Sequence, residues 1–241
     1  MRAFPHQTRA RSTLVVLALA GLGLAGCTRK AEPEPSAEPT TPVAASSIAA
    51  AKTEPKAAIA DAKVGAPAPD FTLPDLDGKP ITLSSFRGKL VVLEWFNPGC
   101  PFVKASHTKG SLVDTAARHG KAGVVWLAVN SGAPGKQGYG VEANREGQQR
   151  FKLDHPILLD ETGRVGHAYA AAHTPHLYVI DKQGVLVYRG AIDNSPDAEG
   201  ESPAGGKLIN YVDAALSDIA AGRPVAIPET EAYGCSVKYG G

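Results

Sequence analysis

Trp95-Phe96-Asn97-Pro98-Gly99-Cys100-Pro101-Phe102-Val103 decides how this chain is read. An apolar run from Leu90 to Leu93 leads into it and a segment of helical character follows, so Cys100 falls where a buried strand hands over to a helix. At a helix N-terminus the unpaired backbone N–H groups and the helix dipole favour a thiolate over a thiol. Pro101, which has no N–H to lose, is tolerated in the first turn. The stretch therefore predicts sulfur chemistry at Cys100. A C-x-x-C pair would place its second cysteine at position 103, where this chain has Val103.

Outward from this stretch the pattern is that of an α/β domain. Asp70 to Leu73 and Ile81 to Leu83 alternate polar and apolar residues around Asp77-Gly78, the signature of a hairpin. Leu90 to Phe96 predicts a buried strand, and Pro101 to about His119 a helix ended by Gly120. Val124 to Val129 predicts a second buried strand. Ser131 to Gly140, with four glycines and a proline, predicts a mobile loop. Glu142 to Leu153 predicts a polar helix, Ile157 to Leu159 a short strand, and Arg164 to Ala172 a short helix. Leu177 to Ile180 and Val185 to Tyr188 flank Asp181-Lys182-Gln183-Gly184 as a second hairpin. Lys207 to Ala220 predicts an amphipathic helix with Leu208, Ile209, Val212, Leu216 and Ile219 on one face. This order implies an α/β sandwich with a mixed central sheet.

The N-terminal end reads differently. Arg2, Arg9 and Arg11 precede an apolar stretch from Leu14 to Leu24, too short to span a bilayer comfortably and of signal-peptide proportions. Leu24-Ala25-Gly26-Cys27 resembles the lipobox of bacterial lipoproteins, in which cleavage precedes the cysteine and lipid is attached to it. Residues 1–26 are thus expected to be a lipoprotein signal peptide, with Cys27 the lipidation site. Residues 27–62, rich in Ala and Pro, are expected to be a flexible tether, and 63–241 the globular domain with its C-terminal tail. Such a protein would be anchored in a bacterial cell envelope and face the periplasm. Thr28, rather than an acidic residue, follows the lipid site and favours the outer membrane. With 25 basic and 24 acidic residues and no basic block in the core, nothing points to nucleic acid. Of three cysteines, lipid would consume Cys27. Cys100 and Cys235 remain in an oxidising compartment, as either a structural staple or a redox couple.

Several separated motifs share one resemblance. Val64-Gly65-Ala66-Pro67-Ala68-Pro69-Asp70-Phe71-Thr72-Leu73, Asp77-Gly78-Lys79 and Leu83-Ser84-Ser85-Phe86-Arg87-Gly88-Lys89 resemble the opening of redoxin domains. These are the alkyl hydroperoxide reductase/thiol-specific antioxidant group, within the thioredoxin fold. Thr174-Pro175, just before Leu177 to Asp181, resembles the thioredoxin-fold cis-proline loop. The resemblance covers about residues 63–222. It implies a thioredoxin-like three-layer sandwich with an N-terminal β-hairpin extension and a C-terminal tail. It places Cys100 at the first position of the C-x-x-C and Glu94 where thioredoxins keep a buried acid. Such a carboxyl, buried beside a thiol, is expected to have a raised pKa and to accept the thiol's proton. Asn97, Pro101, Thr174, Pro175 and His176 would line the groove where a partner disulfide docks, its chain pairing with the loop as an added strand.

The tail around Tyr233-Gly234-Cys235 resembles the one that accompanies an N-P-x-C-P-F-V motif in some redoxin proteins. If Cys235 returns to Cys100, it takes the place of the missing thiol as a resolving cysteine. The function so implied is a membrane-anchored thiol-disulfide oxidoreductase. It would act on a protein or small-molecule disulfide or thiol, with a separate redox partner and no cofactor. Peroxiredoxins are the nearest rival, and Cys100-Pro101 echoes their motif. Asn97 stands where they have Thr, however, and Thr174-Pro175 near where they place an Arg. A non-catalytic domain stapled by Cys100–Cys235 is the other alternative. A metal site built from Cys100, His107, His173 and His176 is set aside, since soft sites need more thiolate than this.

Overall fold

The computed structural model describes residues 61–240. The expected signal segment 1–26, the lipidation site Cys27 and all but the last two residues of the expected tether lie outside the described residues. Among those described, no helix is long and apolar enough to cross a membrane.

A hairpin opens the domain: β1 (Thr72–Pro74) runs antiparallel to β2 (Pro80–Thr82), with Thr72 opposite Thr82. Its turn is closed by the Asp75 carboxylate, which accepts from the N–H groups of Asp77 and Lys79. A 3₁₀ turn, Leu83–Phe86, leads to β3 (Val91–Trp95). The central sheet contains β3, β4 (Val125–Asn130), β5 (Ile157–Leu159), β7 (His176–Ile180) and β8 (Leu186–Gly190), in the order β5-β4-β3-β7-β8. β3 pairs parallel with β4 and antiparallel with β7, so the sheet is mixed, as expected.

The two-residue period of a strand divides the core. Val91, Leu93 and Trp95 face one side with Leu127, Val129, Tyr178 and Ile180, under the hairpin and α4 (Arg164–Ala168). The rings of Trp95, Tyr169 and Tyr178 lie 5.0–5.3 Å apart there. Val92 and Phe96 face the other side with Trp126, Ala128 and Leu177. That side is covered by α1 (Pro101–Thr108), α2 (Thr115–Lys121), α3 (Gly140–Phe151) and α5 (Tyr211–Ala220). Strand parity therefore directs Glu94 beneath the α1 layer.

Four expectations need correction. The helix foreseen from Pro101 to His119 is two helices, broken between Lys109 and Asp114. At Gly110 the chain passes so near the Ala198 carbonyl oxygen that an added Cβ would collide with it, and Ser111 Oγ donates to Asp193. Close packing against the segment after β8 overrides local helix propensity. The helix at Arg164 ends at Ala168 rather than Ala172, because the chain turns through Ala170 at φ 50. The last helix begins at Tyr211 rather than Lys207. Asn210 caps it by accepting from the Asp213 N–H at 2.9 Å, and Leu208 and Ile209 lie before it. The Ser131–Gly140 loop is fastened: Asn130 and Asn144 both donate to Gly138 O, and Asn97 donates to Gln137 O.

Two short strands complete the topology. β6 (His173–Thr174) pairs antiparallel with β9 (Cys235–Ser236), His173 opposite Ser236 and Thr174 opposite Cys235. The Thr174–Pro175 peptide is cis. The tail carrying β9 is docked along its length. Thr230 bonds to β8 through backbone and side chain, and Tyr233 OH donates to Asp193 Oδ1 at 2.6 Å. Beyond β9, Tyr239 OH donates to Ala171 O at 2.7 Å while its ring stacks on His167.

Candidate active site

Cys100 is the N-cap of α1, with extended backbone and Pro101 in the first helical position. The loop that delivers it is built by Asn97. Its side-chain oxygen accepts from the Gly99 N–H at 2.9 Å, its backbone carbonyl accepts from the Cys100 N–H at 3.0 Å, and its amide ties the turn to Gln137. Asn97 is thus a loop-shaping residue beneath the site. Val103, in the position of a second C-x-x-C cysteine, is wholly buried with Cys100, Phe96 and Ala128.

The cis-proline loop comes up to the same sulfur. Cys100 Sγ donates to the Thr174 carbonyl oxygen at 3.1 Å. Thr174 Oγ1 is buried without a hydrogen-bond partner. Cys235 arrives on β9, directly opposite Thr174. It packs against the cluster that holds Cys100, beside Phe102 at the start of α1. Both cysteines are free thiols. Burial, then the hydrogen bond and charge of Cys100, push the Cys235 thiol up to about 11. Cys100 is entirely covered, whereas Cys235 is partly exposed.

Glu94 is fully buried, one layer beneath. Its Oε1 accepts from His107 Nε2 at 2.7 Å and its Oε2 from Trp126 Nε1 at 3.0 Å. Burial pushes its pKa up, but the charge and hydrogen bond of His107, with help from His155 and Trp126, outweigh burial and hold it below its ordinary value. This reverses the raised pKa expected for a proton acceptor: a carboxylate held ionised by donors on both oxygens is a weakened base. His107 had a readable signal. It lies seven residues after Cys100, on the α1 face with Val103, and that face meets the strand carrying Glu94.

His176 also departs from expectation. It sits in β7 opposite Trp95, its ring tilted against Tyr178 with centroids 4.6 Å apart and Nδ1 3.2 Å from the Tyr178 hydroxyl. Burial pushes its pKa down to about 3, so it belongs to the sheet core rather than to a groove. Cys100, His107, His173 and His176 are not gathered round one point, and among the described residues no group of three or more His, Cys, Asp or Glu is arranged to hold a metal ion. Tyr233 and Tyr239, the aromatic residues around Gly234-Cys235 that mark the tail as docked rather than disordered, are the ones that fasten it. Tyr233 also lies against Phe102, its ring centroid 6.2 Å away.

Comparison with known proteins agrees with this geometry. The thiol-disulfide oxidoreductase ResA of Geobacillus thermodenitrificans is 37% identical over 122 residues, covering 50% of this chain and 65% of ResA. The chain thus spans just under two thirds of that relative's length. Chloroplastic peroxiredoxin Q of Oryza sativa subsp. japonica is 29% identical over 137 residues, covering 52% of this chain and 57% of that protein. Among solved structures, an uncharacterized conserved protein of Geobacillus kaustophilus superimposes with a TM-score of 0.63 at 31% identity, covering 74% of this chain and 93% of its own. A hypothetical protein of Sinorhizobium meliloti 1021 gives 0.64 at 25% identity, covering 76% and 97%. The Redoxin family model matches residues 63–208. The fold is thioredoxin-like, and the chain belongs to the Redoxin family.

Proposed function

We propose that this protein is a thiol-disulfide oxidoreductase in which Cys100 exchanges with a substrate disulfide and Cys235 resolves the product. The observation that carries this reading is the pairing of Cys235 opposite Thr174, whose carbonyl oxygen Cys100 Sγ meets at 3.1 Å, so that both cysteines pack into one cluster at the start of α1. The likeness to ResA supports the reaction class. In the first step the Cys100 thiolate attacks a substrate disulfide, forming a mixed disulfide and releasing one substrate thiolate. Cys235 then attacks the Cys100 sulfur, its proton passing to the departing thiolate. The second substrate thiol leaves and a Cys100–Cys235 disulfide remains, so two electrons have passed from the dithiol to the substrate. A separate dithiol returns the pair to the reduced state.

Thr174 and Pro175 shape the face against which the exchanging sulfur lies, Pro101 sets the start of α1, and Asn97 sets the turn before it. Glu94 acts as a positioning residue, tying α1 through His107 to the sheet. The reading includes export, lipid attachment at Cys27 and residence in the cell envelope, with Thr28 favouring the outer membrane. Fatty-acid labelling lost in Cys27→Ser tests the anchor.

The test of the exchange is a pair of variants. Cys100→Ser is expected to lose disulfide reduction entirely, and Cys235→Ser to stall as a mixed disulfide on Cys100. Full turnover by Cys100→Ser would refute the assignment. The likeness to peroxiredoxin Q favours a second reading, a thiol peroxidase in which Cys100 is oxidised to a sulfenic acid and condenses with Cys235, releasing water. Asn97 in place of a hydroxyl-bearing Thr weighs against it. Stopped-flow oxidation of the reduced protein by hydrogen peroxide separates the two.

A further inference from the structure

The two sulfurs of the couple are not equally reachable. Cys100 is completely covered, whereas Cys235 is partly exposed on β9. Cys100 caps α1 in a cluster with Phe96, Val103 and Ala128, and the Thr174 carbonyl oxygen lies against its sulfur at 3.1 Å. β9, only two residues long, sits opposite His173 and Thr174. In the dithiol nothing covalent holds β9 there, and local opening of so short a ladder bares Cys100. A Cys100–Cys235 bond ends that freedom. It ties β9 to the start of α1, where the rings of Phe102 and Tyr233 are already 6.2 Å apart, and the sulfur left towards solvent is that of Cys235. Leaving-group chemistry points the same way. A thiolate that attacks a disulfide expels the other sulfur, and the less basic sulfur leaves faster. Attack at Cys235 expels Cys100 into the N-terminal N–H groups and dipole of α1, which favour an anion. Attack at Cys100 would expel Cys235, whose thiol is pushed up to about 11, burial being the largest cause.

We propose that the couple has two ports, selected by its own redox state: the dithiol meets a substrate disulfide at Cys100, and the resulting disulfide is re-reduced by attack at Cys235. This inference rests on the Cys100–Cys235 couple of the proposed function, and its test keeps the two apart. In the second half-reaction a thiolate of the reducing dithiol bonds to Cys235 Sγ, the Cys100–Cys235 bond breaks, and Cys100 departs as a thiolate. The reductant's second thiol then attacks its own sulfur in that mixed disulfide. Its proton passes to Cys235, which leaves as a thiol, and β9 is no longer tied to α1. Two electrons have moved from the reducing dithiol to the pair, and no other oxidant or reductant takes part. Substrate and reductant thus never compete for one sulfur. The bond that records the first exchange closes the first port and leaves only the second.

The attacking probe is glutathione, a thiol that leaves its mark on the sulfur it strikes. The full chain, oxidised to the Cys100–Cys235 disulfide, is mixed with glutathione at pH 7 in a quenched-flow device and stopped in acid at intervals. Free thiols are then blocked with N-ethylmaleimide in denaturant, and peptide mapping locates both labels. Extrapolated to zero time, glutathione is expected on Cys235 with N-ethylmaleimide on Cys100, in about tenfold or greater excess over the reverse arrangement. In concentrated guanidinium chloride, where neither the burial of Cys100 nor α1 survives, the two arrangements are expected in similar amounts. A native ratio near one or favouring Cys100, or a preference unchanged by unfolding, would overturn the two ports and leave the couple itself in place. Failure of the chain to form a Cys100–Cys235 disulfide under any oxidant would overturn the couple and the ports together.

Discussion

Replacing Glu94 with Gln keeps the shape of a buried side chain and removes its charge. In the native protein both carboxylate oxygens accept, from His107 at 2.7 Å and Trp126 at 3.0 Å, in a place no solvent reaches. A hydrogen bond to an ionised group contributes about 1.5–3 kcal/mol and a neutral one about 0.5–1.5, so two such exchanges cost about 2 kcal/mol in all. For a domain of this size that is a fall in Tm of about 4–8 °C. The pH dependence makes the prediction specific. Glu94 is held below its ordinary 4.5 in the folded chain, so its charged-state contribution is complete above that value and is lost as pH falls through the folded pKa. Urea denaturation of wild type and Glu94→Gln should therefore show a gap of about 2 kcal/mol at pH 7. That gap should narrow below pH 4.5, over the range in which the wild type still gives a folded baseline. A gap that stays constant or widens in acid would refute the argument that donors from His107 and Trp126 keep this carboxylate ionised.

His155 is buried with neither ring nitrogen hydrogen-bonded, and burial pushes its pKa down to about 4. The unfolded chain takes up its proton first as pH falls, so His155→Phe should gain about 2 kcal/mol on the wild type between pH 7 and pH 5, measured by urea titration. Gly234→Ala should part β9 from β6 and raise the alkylation rate of Cys100 by iodoacetamide about tenfold or more, read by peptide mapping, since the left-handed backbone and the Thr174 carbonyl both oppose a Cβ. Asn97→Ala removes the acceptor of the Gly99 N–H and the tie to Gln137 and should cost about 1–3 kcal/mol in denaturant, with slower exchange at Cys100 as the turn loosens.

What was legible in the sequence followed from local rules. Alternation around Asp77-Gly78 and Asp181 to Gly184 located both hairpins, because a two-residue period and turn chemistry are properties of adjacent residues. The strand-to-helix handover likewise located Cys100 at a helix N-terminus. Contacts between distant segments were legible only where a motif marked them, as at Cys100, Thr174 and Cys235. The α1–α2 break depends on Ala198 approaching Gly110, and nothing near Gly110 announces it. Glu94 was singled out by position, yet the sign of its pKa shift is set by His107 and Trp126, which the fold brings in from a helix and a neighbouring strand. Tyr233 and Tyr239 mark the tail as docked, but their partners, Asp193 and Ala171, come from distant segments and are not legible in the sequence.

The central claim, that Cys100 and Cys235 form one redox couple, is tested most directly by its reduction potential. The full chain is equilibrated in glutathione buffers at pH 7 and quenched in acid, and the Cys100–Cys235 disulfide is quantified by non-reducing peptide mapping. The account predicts that this bond forms and titrates with a midpoint above about −300 mV. A midpoint well below that value, or no bond between these two cysteines at any poise, would contradict it.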